Sequence, residues 1–147
     1  MSTDTQESLY RQIVEKAADA IIFADREGII RLWNSGAEAI FGYSAEEAIG
    51  QSLDLIVPEK LRKRHWEGYR KVMATGKTKY GKGTLAVPAI TKSDNRISIE
   101  FTIVLVTSDS GEPLGTAAVI RDVTERWQKQ KELKKRLKEL EERQKKM

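Results

Sequence analysis

Between Ile97 and Leu105 the side chains alternate: Ile97, Ile99, Phe101, Ile103 and Leu105 fall on one side, and Ser98, Glu100 and Thr102 on the other. A period of two marks a strand with one face in a core, and a strand wetted on the other face belongs in an antiparallel sheet. Neighbouring segments supply partners. Leu114 to Ile120 returns after the turn Ser108–Pro113, and Thr84 to Ile90 precedes it, with Pro88 marking an edge or bulge. Near the start, Ala20-Ile21-Ile22-Phe23-Ala24 and Ile29-Ile30-Arg31-Leu32-Trp33 flank Asp25-Arg26-Glu27-Gly28 and predict a hairpin.

Helical signals fill the remainder. Gln6 to Ala18 is amphipathic, with Leu9, Ile13 and Ala17 at four-residue steps. Asn34 is placed to cap a short helix over Ser35–Phe41. Ser44-Ala45-Glu46-Glu47 has the form of a capping box, and its short helix is expected to stop at Gly50. A longer helix is predicted from Pro58 to about Ala74, closed by Gly76. Leu61, His65, Tyr69 and Val72 share its apolar face, opposite Lys60, Arg62, Lys63, Arg64, Glu67, Arg70 and Lys71. From Arg121 onward one charged helix is expected. Val123, Leu133, Leu137 and Leu140 fit a and d heptad positions, but Arg126, Gln130 and Gln144 occupy the others, so the period is right and the seam weak. The whole reads as α+β, an antiparallel sheet covered by helices on one face.

Composition narrows function more than fold. The 147 residues include no cysteine and one histidine, which excludes disulfides, thiolate metal sites, cysteine nucleophiles and cysteinyl–flavin photochemistry. The net charge of +4 is uneven: residues 126–147 hold ten Lys/Arg against four Asp/Glu, a balance of +6, leaving −2 on the rest. The basic character therefore sits in the tail, which argues against a nucleic-acid surface on the folded body. No apolar run spans a membrane, the start is polar, and a reducing cytoplasmic setting is expected. No catalytic constellation is legible, so no enzyme is expected.

Asp19-Ala20-Ile21-Ile22-Phe23-Ala24-Asp25, Gly28-Ile29-Ile30 through Trp33-Asn34, Phe41-Gly42-Tyr43-Ser44-Ala45-Glu46-Glu47-Ala48-Ile49-Gly50 and Arg121-Asp122-Val123-Thr124-Glu125-Arg126 together resemble the PAS family, over about residues 8 to 126. The resemblance implies the PAS fold, a five-stranded antiparallel sheet with helices on one face. It also implies a flanking helix over 1–18, a core over 19–121 and a coiled-coil-like connector helix over 122–147. Pro58-Glu59, Arg62, Arg64-His65, Gly68-Tyr69 and the later Gly81-Lys82-Gly83 are similar to haem-binding PAS domains of the FixL oxygen-sensor type. In that group the histidine at this place is the proximal iron ligand. The resemblance thus implies haem b, with His65 as the metal ligand and Tyr69 beside it. Phe101 and Ile103 would form an apolar wall, Lys71 and Lys79 would reach the propionates, and Thr84 and Leu85 would lie on the distal side. The signal would be O2, CO, NO or a redox change, relayed through the C-terminal helix. The sequence departs from its oxygen-sensing relatives at Gly83-Thr84-Leu85, where they carry an arginine that bonds oxygen. That makes carbon monoxide, nitric oxide or redox state as plausible a signal as oxygen.

Two readings of His65 stay open on the residues alone: an iron ligand, or a packed imidazole with hydrogen-bonded nitrogens. Beside a haem sensor stand a cofactor-free dimerisation module and a flavin or small-metabolite pocket. Trp33 is expected in the core or at a dimer surface, and Trp66 toward a sheet edge or interface. Asp122 is expected to anchor the start of the exit helix. The expected assembly is a parallel homodimer through Leu9, Ile13, Ala17 and the exit helix, with neither nucleic acid nor membrane as partner. The chain stops inside its connector, so a C-terminal output domain is expected in a longer protein.

Overall fold

The computed structural model describes residues 2–78 and 86–146. In chain order its helices and strands are α1 (Thr3–Lys16), β1 (Ala20–Asp25), β2 (Ile30–Trp33), α2 (Ser35–Phe41), α3 (Ala45–Ala48), α4 (Arg62–Thr75), β3 (Val87–Ile90), β4 (Arg96–Thr107), β5 (Pro113–Asp122) and α5 (Thr124–Lys145). Single 3-10 turns at Leu53–Leu55 and Glu59–Leu61 lead into α4. The five strands form one antiparallel sheet in the order β2-β1-β5-β4-β3.

Register decides which side chains face the helices. Across β1, β5 and β4 the rows Ala20–Ile120–Phe101, Ile22–Ala118–Ile103 and Ala24–Thr116–Leu105 point one way. Ala20, Ile22, Ala24 and Ile120 in these rows are buried. Under α2 and α3, Ala20, Ile22 and Ile120 meet Trp33, Ala37, Phe41 and Ala48 in the main core. A second, smaller cluster of Ala24, Tyr69 and Met73, edged by Leu53, Trp66, Val72 and Leu105, joins α4 to the other end of the sheet. The far side of the sheet keeps apolar groups too; Val104 there is 55% exposed. Pro88 lies in β3, an edge strand, where its missing N–H leaves no core ladder unpaired.

Local chemistry sets the element ends. Asn34 Oδ1 accepts from Ala37 N at 2.9 Å, capping α2. The Ser44–Glu47 capping box is complete, and α3 ends at Ala48, two residues before Gly50. α1 begins earlier than the periodicity suggests, because Ser2 caps it by accepting from Thr5 N. α4 closes on Gly76 at φ 69°. The exit differs more. Arg121 and Asp122 are strand residues, since β5 pairs with β4 as far as Ile99↔Asp122, and the helix starts only at Thr124. Extending an existing sheet outweighs a charged, helix-favouring composition.

Candidate functional site

His65 lies half-buried on α4, one turn before Tyr69, which is 8% exposed. Its ring meets Trp66 edge-on, with centroids 4.8 Å apart and planes at 72°, and leans on Tyr69 at 6.0 Å. Trp66 and Tyr69 also meet edge-on, at 5.5 Å. Three polar anchors hold this aromatic group. Trp66 Nε1 donates to Asp54 Oδ1 at 2.7 Å. The Tyr69 hydroxyl donates to the Ala24 carbonyl at 3.1 Å and to that of Asp25. Arg62, which reads as part of the solvated face, turns back instead to donate to the Val57 and Asp54 carbonyls.

Gly28 explains how the indole fits. At φ 77° it occupies the left-handed region, and a Cβ there would fall 2.1 Å from two ring carbons of Trp66. Trp66 therefore packs against the β1–β2 turn, beside the edge strand β2.

His65 Nδ1 is sealed from solvent and has no hydrogen-bond partner among the described residues. Burial pushes the imidazole pKa below 6.5, opposed by the Asp54 carboxylate, which raises it. A neutral ring results, with an unprotonated nitrogen available at neutral pH. Burial likewise raises the Tyr69 phenol, keeping it a donor to its two carbonyls.

The sequence-derived candidates distribute unevenly. Phe101 and Ile103 lie on the helix-covered side of β4, and Phe101 packs against the main core. Lys71 is exposed on α4. Lys79, Thr84, Leu85 and the Gly81-Lys82-Gly83 stretch lie outside the described residues. Trp33 is a core residue, 4% exposed, whose Nε1 donates to the Tyr43 carbonyl at 2.9 Å. Asp54, Gly28 and Arg62 were missed as site residues. Their roles come from contacts up to 38 residues apart, between Gly28 and Trp66, which no local pattern carries. Among the described residues no group of three or more His, Cys, Asp or Glu could hold a metal ion.

The exit from the sheet is tightly wired. Val123, 5% exposed, donates its N–H to the Ser98 carbonyl at 2.8 Å. The Thr124 hydroxyl oxygen accepts from Ser98 N at 2.9 Å and donates to Asp122 Oδ1 at 2.5 Å. Arg126 pairs with Glu100 on β4. Asp122 thus anchors the helix start through Thr124, whose own N–H it also accepts at 2.9 Å.

This antiparallel sheet, its helix-covered face and its wired C-terminal exit define a sensory signalling fold. The family model described as PAS fold matches residues 8–123, and the chain belongs to that family. Sensor protein FixL of Bradyrhizobium diazoefficiens is 34% identical over 139 residues, 92% of this chain and 26% of FixL. The signal transduction histidine-protein kinase AtoS of Escherichia coli is 28% identical over 122 residues, 82% of this chain and 19% of AtoS. The chain therefore spans about a quarter or less of these curated relatives. Among solved structures, the PAS domain of a Colwellia psychrerythraea protein superposes with a TM-score of 0.71 at 24% identity, over 82% of this chain and 98% of that one. An RNA-binding light-oxygen-voltage receptor gives 0.76 at 20% identity, over 94% and 39%. At these identities the structural matches speak for the fold alone. No helix among the described residues is long and apolar enough to cross a membrane.

Proposed function

We propose that this chain is the sensory domain of a larger cytoplasmic signalling protein, that it binds haem b through His65, and that it carries out no catalysis itself. The observation that supports this most is the sealed, unpartnered Nδ1 on a ring that burial keeps neutral. A buried polar atom without a partner is costly, and such atoms gather at functional sites. The relation to FixL directs the choice of ligand. One imidazole would suit an iron already held by a macrocycle, which would need a single protein donor.

In this reading His65 is that donor, with Tyr69 and Trp66 packed against its ring. Phe101 and Ile103 would supply an apolar wall on β4 and Lys71 would reach a propionate, while Lys79, Thr84 and Leu85, the other candidates for the propionates and the gas side, lie outside the described residues. When bound, haem supplies an iron centre that takes O2, CO or NO or changes oxidation state. The chain's own contribution is relay. β4 carries Phe101 and Ile103 and also Ser98 and Glu100, which hold Val123, Thr124 and Arg126. A displacement of that strand reaches α5 with no intervening element, and α5 passes it to an output domain as a change in the pairing of two protomers.

The exposed stripes on α1 (Leu9, Tyr10, Ile13) and α5 (Leu133, Leu137, Leu140) also favour a second reading, a parallel pairing module that needs no cofactor. Incubation with haem separates the two. The sensor reading expects a stable coloured complex with an intense Soret band that His65→Ala weakens or removes. Colourless protein that still dimerises leaves the pairing module.

A further inference from the structure

We propose that Asp54 is the positioning residue of the His65 imidazole and acts through Trp66, an inference that deepens the haem reading above. An imidazole turns about a broad sp³–sp² torsion unless something fixes it. Ordinarily that restraint is a hydrogen bond on a ring nitrogen. His65 Nδ1 is buried without any such bond among the described residues. Packing must therefore set the ring's orientation, and the nearest ring is Trp66, 4.8 Å away and edge-on.

Trp66 is itself immobilised on two sides. Its N–H is held by Asp54 Oδ1 at 2.7 Å, and its six-membered ring lies against the bare Cα of Gly28. Asp54 is fixed in turn. It sits in the 3-10 turn Leu53–Leu55, its N–H donates to Ser52 Oγ at 3.1 Å, and its carbonyl accepts from Arg62 Nη2 at 3.2 Å. A rigid turn thus holds an indole, and the indole holds the imidazole. Truncating Asp54 removes the indole's acceptor and leaves a half-buried N–H without a partner. The indole then tilts, and the imidazole loses the wall against which it is oriented.

The test uses the full chain. His65 is the one histidine in the sequence, so its ring Cε1–H gives a single NMR signal that needs no assignment. In the haem-free protein, at a pH well above 6.5, ring currents from Trp66 and Tyr69 displace that signal. Asp54→Ala is expected to move it toward the free-histidine position and to weaken haem binding about 10-fold. Asp54→Asn keeps an acceptor for the indole and is expected to leave both near wild type. If Asp54→Ala fails to fold, Asp54→Leu, which fills similar space without an acceptor and leaves both aromatic rings in place, serves with the same expectation. A folded Asp54→Ala protein whose histidine signal does not move overturns the positioning role, whatever its haem affinity. A signal that moves in a protein unable to take up haem supports the positioning role and removes the haem reading instead.

Discussion

Arg121 and Asp19, 102 residues apart in the chain, meet in a forked ion pair, with Nη2 to Oδ2 at 3.1 Å and Nε to Oδ1 at 3.3 Å. The contact raises the arginine pKa further, chiefly through the hydrogen bond from the guanidinium to Asp19. It also begins a chain of alternating charge. Arg121 lies opposite Glu100 in the β4–β5 register, and Glu100 pairs with Arg126 at the start of α5. The linker after α1 and the first turn of α5 are thus tied to the same end of the sheet.

Exposed pairs of this kind are weak and screened by salt. Glu100→Gln is therefore expected to leave the fold intact while speeding amide exchange severalfold in the first turn of α5. In 1 M NaCl the wild type should approach the variant. Hydrogen exchange resolved by mass spectrometry reads both.

Asn34 does more than cap a helix. It is 3% exposed; its Oδ1 accepts from Ile21 N and Ala37 N, and its Nδ2 donates to the carbonyls of Val14, Ala17 and Asp19. One side chain thus fastens the end of α1, β1 and α2 together. Asn34→Ala should cost about 2–4 kcal/mol in urea unfolding, because buried backbone groups lose their partners along with the cap. Asn34→Ser, which retains an acceptor for the cap, should fall between alanine and wild type.

The cap, the capping box and the hairpin were legible in the sequence because each rests on residues within a few positions of one another. The strict alternation around Phe101 likewise identified β4 and its inward face. Trp66–Asp54, Trp66–Gly28, Arg121–Asp19 and Arg126–Glu100 were not legible, since each pairs segments that only the folded chain brings together. The helix start was misplaced at Arg121 for a related reason: charged side chains at the end of β5 look helical until β4 is there to pair with them.

Gly28→Ala should destabilise the protein by about 1–3 kcal/mol, from positive φ and from the collision with the indole. In a Trp66→Ala background most of the steric share disappears. A double-mutant cycle by urea unfolding should therefore show the two changes to be strongly non-additive.

His65 and Glu47 give stability a pH dependence in two separate ranges. His65 is harder to protonate in the folded chain than at the ordinary 6.5, so below about that pH the unfolded chain binds the extra proton and stability falls with acidification. His65→Leu should flatten this limb. Glu47 is held down to about 2 by Lys92, whose Nζ lies 2.5 Å from Oε2, and by the Ser44 N–H. Its contribution is fully present above 4.5 and is lost as pH falls toward about 2, a limb that Glu47→Gln should reduce and to which Asp25, also held below its ordinary value, adds. Urea midpoints measured from neutral pH into acid separate the two.

The claim that His65 offers its imidazole to haem iron is tested most directly by cavity rescue. His65→Gly protein is incubated with haem, with and without added imidazole, and its absorption spectrum is compared with that of the wild type. The account predicts that the variant loses the wild-type Soret band and that free imidazole restores it. A variant that takes up haem with an unchanged spectrum, or a wild type that stays colourless, would contradict it.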